Sequence, residues 1–124
     1  MSLSLLVVDD SSFSRKMVIK ALPESWDVEI TQAANGVEAL NELRKGRGEV
    51  MFLDLNMPEI DGYQVLEEVY EKSLPCKVFV LSADIQPKAE ERVKALGALA
   101  FIKKPFTKQV IAAALVQYEI HGHD

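Results

Sequence analysis

The sequence predicts an α/β fold: a doubly wound sandwich built on a five-stranded parallel sheet. Three observations predict it. Short apolar runs alternate five times with stretches whose apolar residues recur at helical spacing. That alternation builds a parallel sheet with helices on both faces, joined by right-handed crossovers. The middle runs are continuous and rich in β-branched residues, as strands buried on both faces require. Finally, the 124 residues show no repeat, low-complexity segment or Gly/Ser-rich linker, and that length suits one domain. The expected division is a single domain over 1–124, with an ordered core over about 4–118 and a short polar tail.

Leu5-Leu6-Val7-Val8 reads as the first buried strand. Phe13, Met17, Ala21 and Leu22 then recur at helical spacing, with Asp10 and Ser11 as available caps and Pro23 at the end. Val28 and Ile30 alternate with Asp27, Glu29 and Thr31, the period-2 pattern of a half-exposed strand. Such a strand fits the edge of a sheet ordered 2-1-3-4-5. Val37, Leu40 and Leu43 form the next helical stripe, ended by Gly46 and Gly48. Val50 to Leu53 is a buried strand, followed by helical Val65, Leu66 and Val69. Val78 to Leu81 is the fourth strand, followed by Ala89, Val93 and Leu96 and a stop at Gly97. Leu99 to Ile102 is the fifth strand, more apolar than an edge usually is. Val110, Ile111, Ala114, Leu115 and Tyr118 make the last helix.

Composition narrows the function. Lys and Arg number 14 against 19 Asp and Glu, a net charge of −5. That argues against a nucleic-acid-binding surface and against anionic membranes. No apolar run approaches the ~18–20 residues of a membrane span. The single Cys76 excludes an internal disulfide and fits a cytoplasmic location. It reads as a small apolar residue rather than a redox switch.

In an open parallel sheet, ligands bind outside the carboxyl ends of the strands. Asp9 and Asp10 follow the first strand, Asp54 and Asn56 the third, Ser82 the fourth, and Lys103 and Lys104 the fifth. Each acid taken alone reads as a solvated strand end or a helix cap. All of them at one edge do not. Three converging carboxylates repel and raise one another's pKa unless a cation compensates. Oxygen-only donors suit Mg²⁺, whereas zinc prefers His or Cys. A carboxylate beside such an ion and a lysine is a nucleophile towards phosphorus.

These residues resemble the receiver domains of two-component response regulators, and most closely the stand-alone, CheY-like kind. The resemblance spans essentially the whole chain. It rests on Asp9-Asp10, the run Leu53-Asp54-Leu55-Asn56-Met57-Pro58-Glu59-Ile60-Asp61-Gly62, Ser82-Ala83, and Lys104-Pro105-Phe106. It implies a flavodoxin-like (βα)5 sandwich and a phosphorylation-gated signalling module. By resemblance, Asp54 is the phospho-acceptor. Asp10 binds Mg²⁺ directly, Asp9 acts through water, and the Asn56 carbonyl adds a ligand. Lys104 pairs with Asp54 and then with the phosphoryl group, and the peptide before Pro105 is often cis. Ser82 is the hydroxyl switch residue. Phe101 falls at the aromatic switch position, although its sequence context alone gives an ordinary core side chain. Asn56 and Asp84 flank the phosphoryl group and tune its lifetime, expected to run from seconds to minutes. The responsive face is helix four, strand five and helix five.

The resemblance further implies a sensor histidine kinase or histidine phosphotransfer protein as donor and an output protein as partner. No nucleic acid or membrane partner is expected. A monomer is expected, with dimerisation left open. The domain is an enzyme only in catalysing its own phosphorylation and dephosphorylation. Two neighbouring chemistries fit less well. A haloacid-dehalogenase-type phosphohydrolase needs Asp where Asn56 stands, and a flavin phosphate is repelled by Asp9 and Asp10. The alternative function is a docking module of the same fold that works without phosphate; its mark is loss of Asp54, Lys104 or one of the acid pair, and all are present. Lys103 reads as a solvated charge, Asp61-Gly62 as a turn and cap, and His121 and His123 as part of a disordered tail.

Overall fold

The computed structural model describes residues 3–57, 61–83, 87–118 and 120. Ten elements alternate: β1 (Leu3–Val8), α1 (Ser12–Ala21), β2 (Val28–Ala33), α2 (Gly36–Arg44), β3 (Val50–Asp54), α3 (Gly62–Glu71), β4 (Lys77–Ser82), α4 (Pro87–Ala95), β5 (Ala100–Lys103) and α5 (Lys108–Gln117). All strand pairs are parallel, in the order 2-1-3-4-5. This is the predicted doubly wound fold.

Period-2 alternation sorts the strand residues into two cores. Leu5, Val7, Val50, Phe52, Phe79 and Leu81 pack under α1 and α5, against Val18, Ala21, Ile111 and Leu115. Leu6, Val8, Met51, Leu53, Val78 and Val80 pack under α2, α3 and α4, against Leu40, Val65, Leu66 and Val93. Phe52 and Phe79 stack at 5.3 Å between ring centroids, and Tyr118 meets Phe79 edge-on at 5.8 Å. These spacings lie in the favourable range for aromatic pairs.

Three expectations shift. Phe13 and Met17 are not core residues: Phe13 is 71% exposed and Met17 is also open to solvent. Ala21 and the C-cap residue Leu22 are buried as expected, and Val18 takes the place of Met17 on the core side of α1. Phe13 and Met17 instead line a groove with Ala83 and Lys104 to Phe106. Val37 and Val110 are likewise exposed. The apolar character of β5 has a simple cause. Although β5 is an edge, Ala100 and Ile102 join one core and Phe101 packs against the other. By contrast β2, the other edge, leaves Glu29, Ile30 and Gln32 exposed.

Helix α3 begins where β3 ends, and two devices set its start. Asp61 caps it in a capping box with Gln64, as the cap reading of Asp61-Gly62 anticipates. Gly62 donates its N–H to the Leu55 carbonyl at 3.1 Å. A Cβ on Gly62 would lie 2.5 Å from the Asp54 carbonyl oxygen and 2.7 Å from the Leu55 Cα. Both are backbone atoms, so relief requires moving the strand end or the helix. Gly62→Ala is therefore expected to cost about 1–3 kcal/mol, the range for overpacking. Gly46 has a positive φ of +79° but open space around it, so Gly46→Ala should cost only about 1–2 kcal/mol of backbone strain. Urea titration of the two variants checks this, with the midpoint falling at constant slope.

Candidate functional site

The strand register brings the polar residues to one edge. Val8 pairs with Leu53 and Ala33, so Asp9 emerges beside Asp54. Asp54 pairs with Leu81, and Ser82 with Lys103. Lys104 then crosses back: its backbone N–H donates to the Ser82 carbonyl at 2.9 Å. Asp9 and Asp54 are 3% and 5% exposed, and Ser82 is fully buried. Asp10 and Asn56 are exposed.

One oxygen from each of Asp9, Asp10 and Asp54 fits within 4.8 Å of the others. The Lys104 ammonium sits 3.0 Å from Asp9 Oδ2 and 3.3 Å from Asp54 Oδ1. The resemblance implies a lysine paired with Asp54; here it is shared, with the shorter contact to Asp9. Burial pushes the Asp54 carboxyl above its usual range, and the Asp9 charge adds to this. Lys104 and the backbone N–H of Asn56 work in the opposite direction and do not cancel it. Burial disfavours the Lys104 charge, yet its hydrogen bond to Asp9 and the charges of Asp54 and Asp9 hold its pKa above the ordinary value. The donor set is all oxygen, with one acid open to solvent. That is the chemistry a hard divalent ion such as Mg²⁺ takes, and among the described residues this is the cluster of acids that fits one.

Other readings find their places. The Lys104–Pro105 peptide is cis. Phe101 is half-buried in the core beneath α3 and α4. Lys103 is exposed. Cys76 is half-buried ahead of β4, and burial pushes its thiol up to about 12. Asp84, Pro58, Glu59, Ile60, His121 and His123 lie outside the described residues.

One participant has no counterpart in the sequence reading. Arg15, on α1, donates through Nη1 to the Asp9 carbonyl at 2.7 Å and through Nε to Gln32 Oε1 at 2.9 Å. Its cue in sequence is a cation in the first turn of the helix that follows the acid pair.

The profile of the response regulator receiver domain matches residues 5–116. The chemotaxis protein CheY of Listeria monocytogenes is 34% identical over 113 residues, covering 91% of this chain and 95% of that protein. A protein-glutamate methylesterase/protein-glutamine glutaminase of Syntrophomonas wolfei is 40% identical over 105 residues. That match covers 82% of this chain but 29% of the relative, so the chain spans under a third of it. Among solved structures, CheY4 of Vibrio cholerae superposes with a TM-score of 0.83 at 30% identity, covering 94% of this chain and 98% of that one. The receiver domain of NarL from Mycobacterium tuberculosis gives the same TM-score at 31% identity, with 95% and 97% covered. The chain belongs to the response regulator receiver domain family, and it is a CheY-like member with that family's flavodoxin-like fold. It is thereby a component of two-component signalling.

The raised Asp54 pKa has a consequence for stability. An acid whose pKa is higher in the folded state binds more protons there than when unfolded. Stability then falls as pH rises from the unfolded value near 3.8 through the folded one, and stays lower above it. Asp54→Asn removes that penalty. In metal-free buffer at pH 7 the variant is expected to melt a few degrees above the wild type, the gap closing as pH falls towards 4. Thermal melts followed by circular dichroism across that range check it.

Proposed function

We propose that Asp54 accepts a phosphoryl group from a histidine kinase or histidine phosphotransfer protein, and that the phosphorylated chain signals to a partner protein. One observation carries this reading: a buried carboxylate at the end of a central strand, flanked by two more carboxylates and held against a lysine. The CheY relative, matched over 95% of its own length, supports a regulator of the CheY kind. No described helix is long and apolar enough to cross a membrane.

In the transfer, an Asp54 carboxylate oxygen forms a bond to phosphorus as the donor's phosphorus–nitrogen bond breaks, and the departing imidazole recovers a proton. The Lys104 ammonium neutralises one oxygen of the moving group. The Ser82 hydroxyl donates to another, and Phe101 follows into the space released. The face of α4, β5 and α5 then changes shape, a population shift that needs only two packings of similar energy. Asp10, Asp54 and the Asn56 carbonyl would hold Mg²⁺ directly, with Asp9 acting through water, and the ion when bound supplies countercharge to the phosphoryl oxygens. Water later attacks phosphorus and frees Asp54, at a rate set by Asn56 and Asp84. The chain is no enzyme beyond these two reactions on itself.

Intact mass after incubation with Mg²⁺ and acetyl phosphate tests the reading. One phosphoryl group should be gained, and lost again over seconds to minutes. Asp54→Asn should take up none, and Lys104→Ala should react about 100-fold more slowly. No adduct on the folded wild type, with no trapping by beryllofluoride, would move the function to phosphate-independent docking. A bulky apolar residue at Asp84 should slow the decay; an unchanged decay would remove Asp84 from the account.

A further inference from the structure

We infer that Arg15 is a positioning residue for divalent-cation binding, acting through the Asp9 carbonyl to fix where Asp10 projects. The inference rests on the proposed Mg²⁺-dependent chemistry of the same site.

Every polar group of Asp9 is engaged. Its N–H donates to the Ala33 carbonyl at 3.1 Å. Its Oδ1 accepts from the Ser11 N–H at 2.9 Å and its Oδ2 from Lys104 at 3.0 Å. Its carbonyl accepts from Arg15 at 2.7 Å, the shortest of the four. That carbonyl belongs to the Asp9–Asp10 peptide, so holding it sets the plane from which Asp10 leaves. Asp10 itself is exposed, and at such a site the carboxylate depends on its backbone for its direction.

Arg15 is in turn held at both ends. Its own backbone N–H donates to the Ser11 carbonyl at 3.1 Å, within the first turn of α1. Its Nε donates to Gln32 on β2 at 2.9 Å. A guanidinium presents several donors in a rigid plane, so one side chain serves the Asp9 carbonyl and Gln32 together. A lysine at this position offers a single ammonium and cannot hold the same two directions.

Charge and positioning have opposite signs here. A cation close to three acids repels Mg²⁺, so by charge alone Arg15→Ala should tighten ion binding and Arg15→Lys should leave it unchanged. By positioning, both should weaken it. Partners that orient metal ligands typically contribute about 10–100-fold to affinity, and about tenfold is expected for Arg15→Ala. Gln32→Ala keeps the Asp9 contact but frees one side of the guanidinium plane, and should weaken affinity in the same direction by less than Arg15→Ala.

The experiment is Mg²⁺ titration of wild type, Arg15→Ala, Arg15→Lys and Gln32→Ala by isothermal calorimetry, with the Asp10 and Ser11 amide resonances followed by NMR. The concentration of Mg²⁺ giving half-maximal phosphorylation by acetyl phosphate should rise in both Arg15 variants, while the rate at saturating Mg²⁺ stays unchanged. Equal or tighter Mg²⁺ binding by folded Arg15→Lys overturns the inference, and so does a fall only in the saturating rate. If Arg15→Ala does not fold, Arg15→Lys carries the test. A wild type that binds no Mg²⁺ overturns the proposed function along with this inference; wild-type binding with unaffected variants overturns the inference alone.

Discussion

Lys104 is shared between two buried carboxylates, and the site depends on that sharing. Asp9 and Asp54 are both almost without solvent, and burial pushes the Asp54 carboxyl above its usual range. A single ammonium within 3.0 and 3.3 Å of them supplies one positive charge for two negative ones. The neighbourhood is therefore left short of positive charge in the resting protein. On the proposed function, that deficit is what a bound divalent cation would fill.

The scaffold makes this imbalance tolerable. The acids stand at the ends of the central strand and its neighbour β1, backed by two cores on opposite faces of the same sheet. Asp54 cannot retreat, because α3 starts directly against its carbonyl through Gly62. Asp9 cannot swing away, because all its polar groups are taken. Further out, Arg92 of α4 lies 3.9 Å above the Tyr63 ring and 3.4 Å from Glu67 of α3. Helix α4 thus adds surface contacts, which are weak individually, to the burial of Ala89 and Val93, while the start of α3 is fixed against the acceptor strand by backbone.

Much of this was legible in the sequence, for identifiable reasons. Strands such as Val50–Leu53 and Val78–Leu81 are buried on both faces, so their apolar runs carry the signal directly. The parallel topology then forces Asp9, Asp54, Ser82 and Lys104 to one edge without any side-chain information. Helix faces were harder. Phe13 and Met17 share a helical spacing with core positions, and only the placement of the 104–106 loop shows that they line a groove instead. Arg15 was invisible because its partner is a carbonyl, and backbone acceptors leave no mark in residue identity. The division of Lys104 between two acids was hidden too, since it depends on tenths of an ångström.

Cys76 has a practical side. Burial pushes its thiol up to about 12, which disfavours the thiolate, the form that attacks electrophiles. The native cysteine is therefore nearly silent towards maleimides and iodoacetamides. A reporter cysteine introduced on the exposed surface of α4 would take up a spectroscopic label almost alone. Motion of that helix could then be followed in a chain whose own thiol, and the packing around it, had been left untouched.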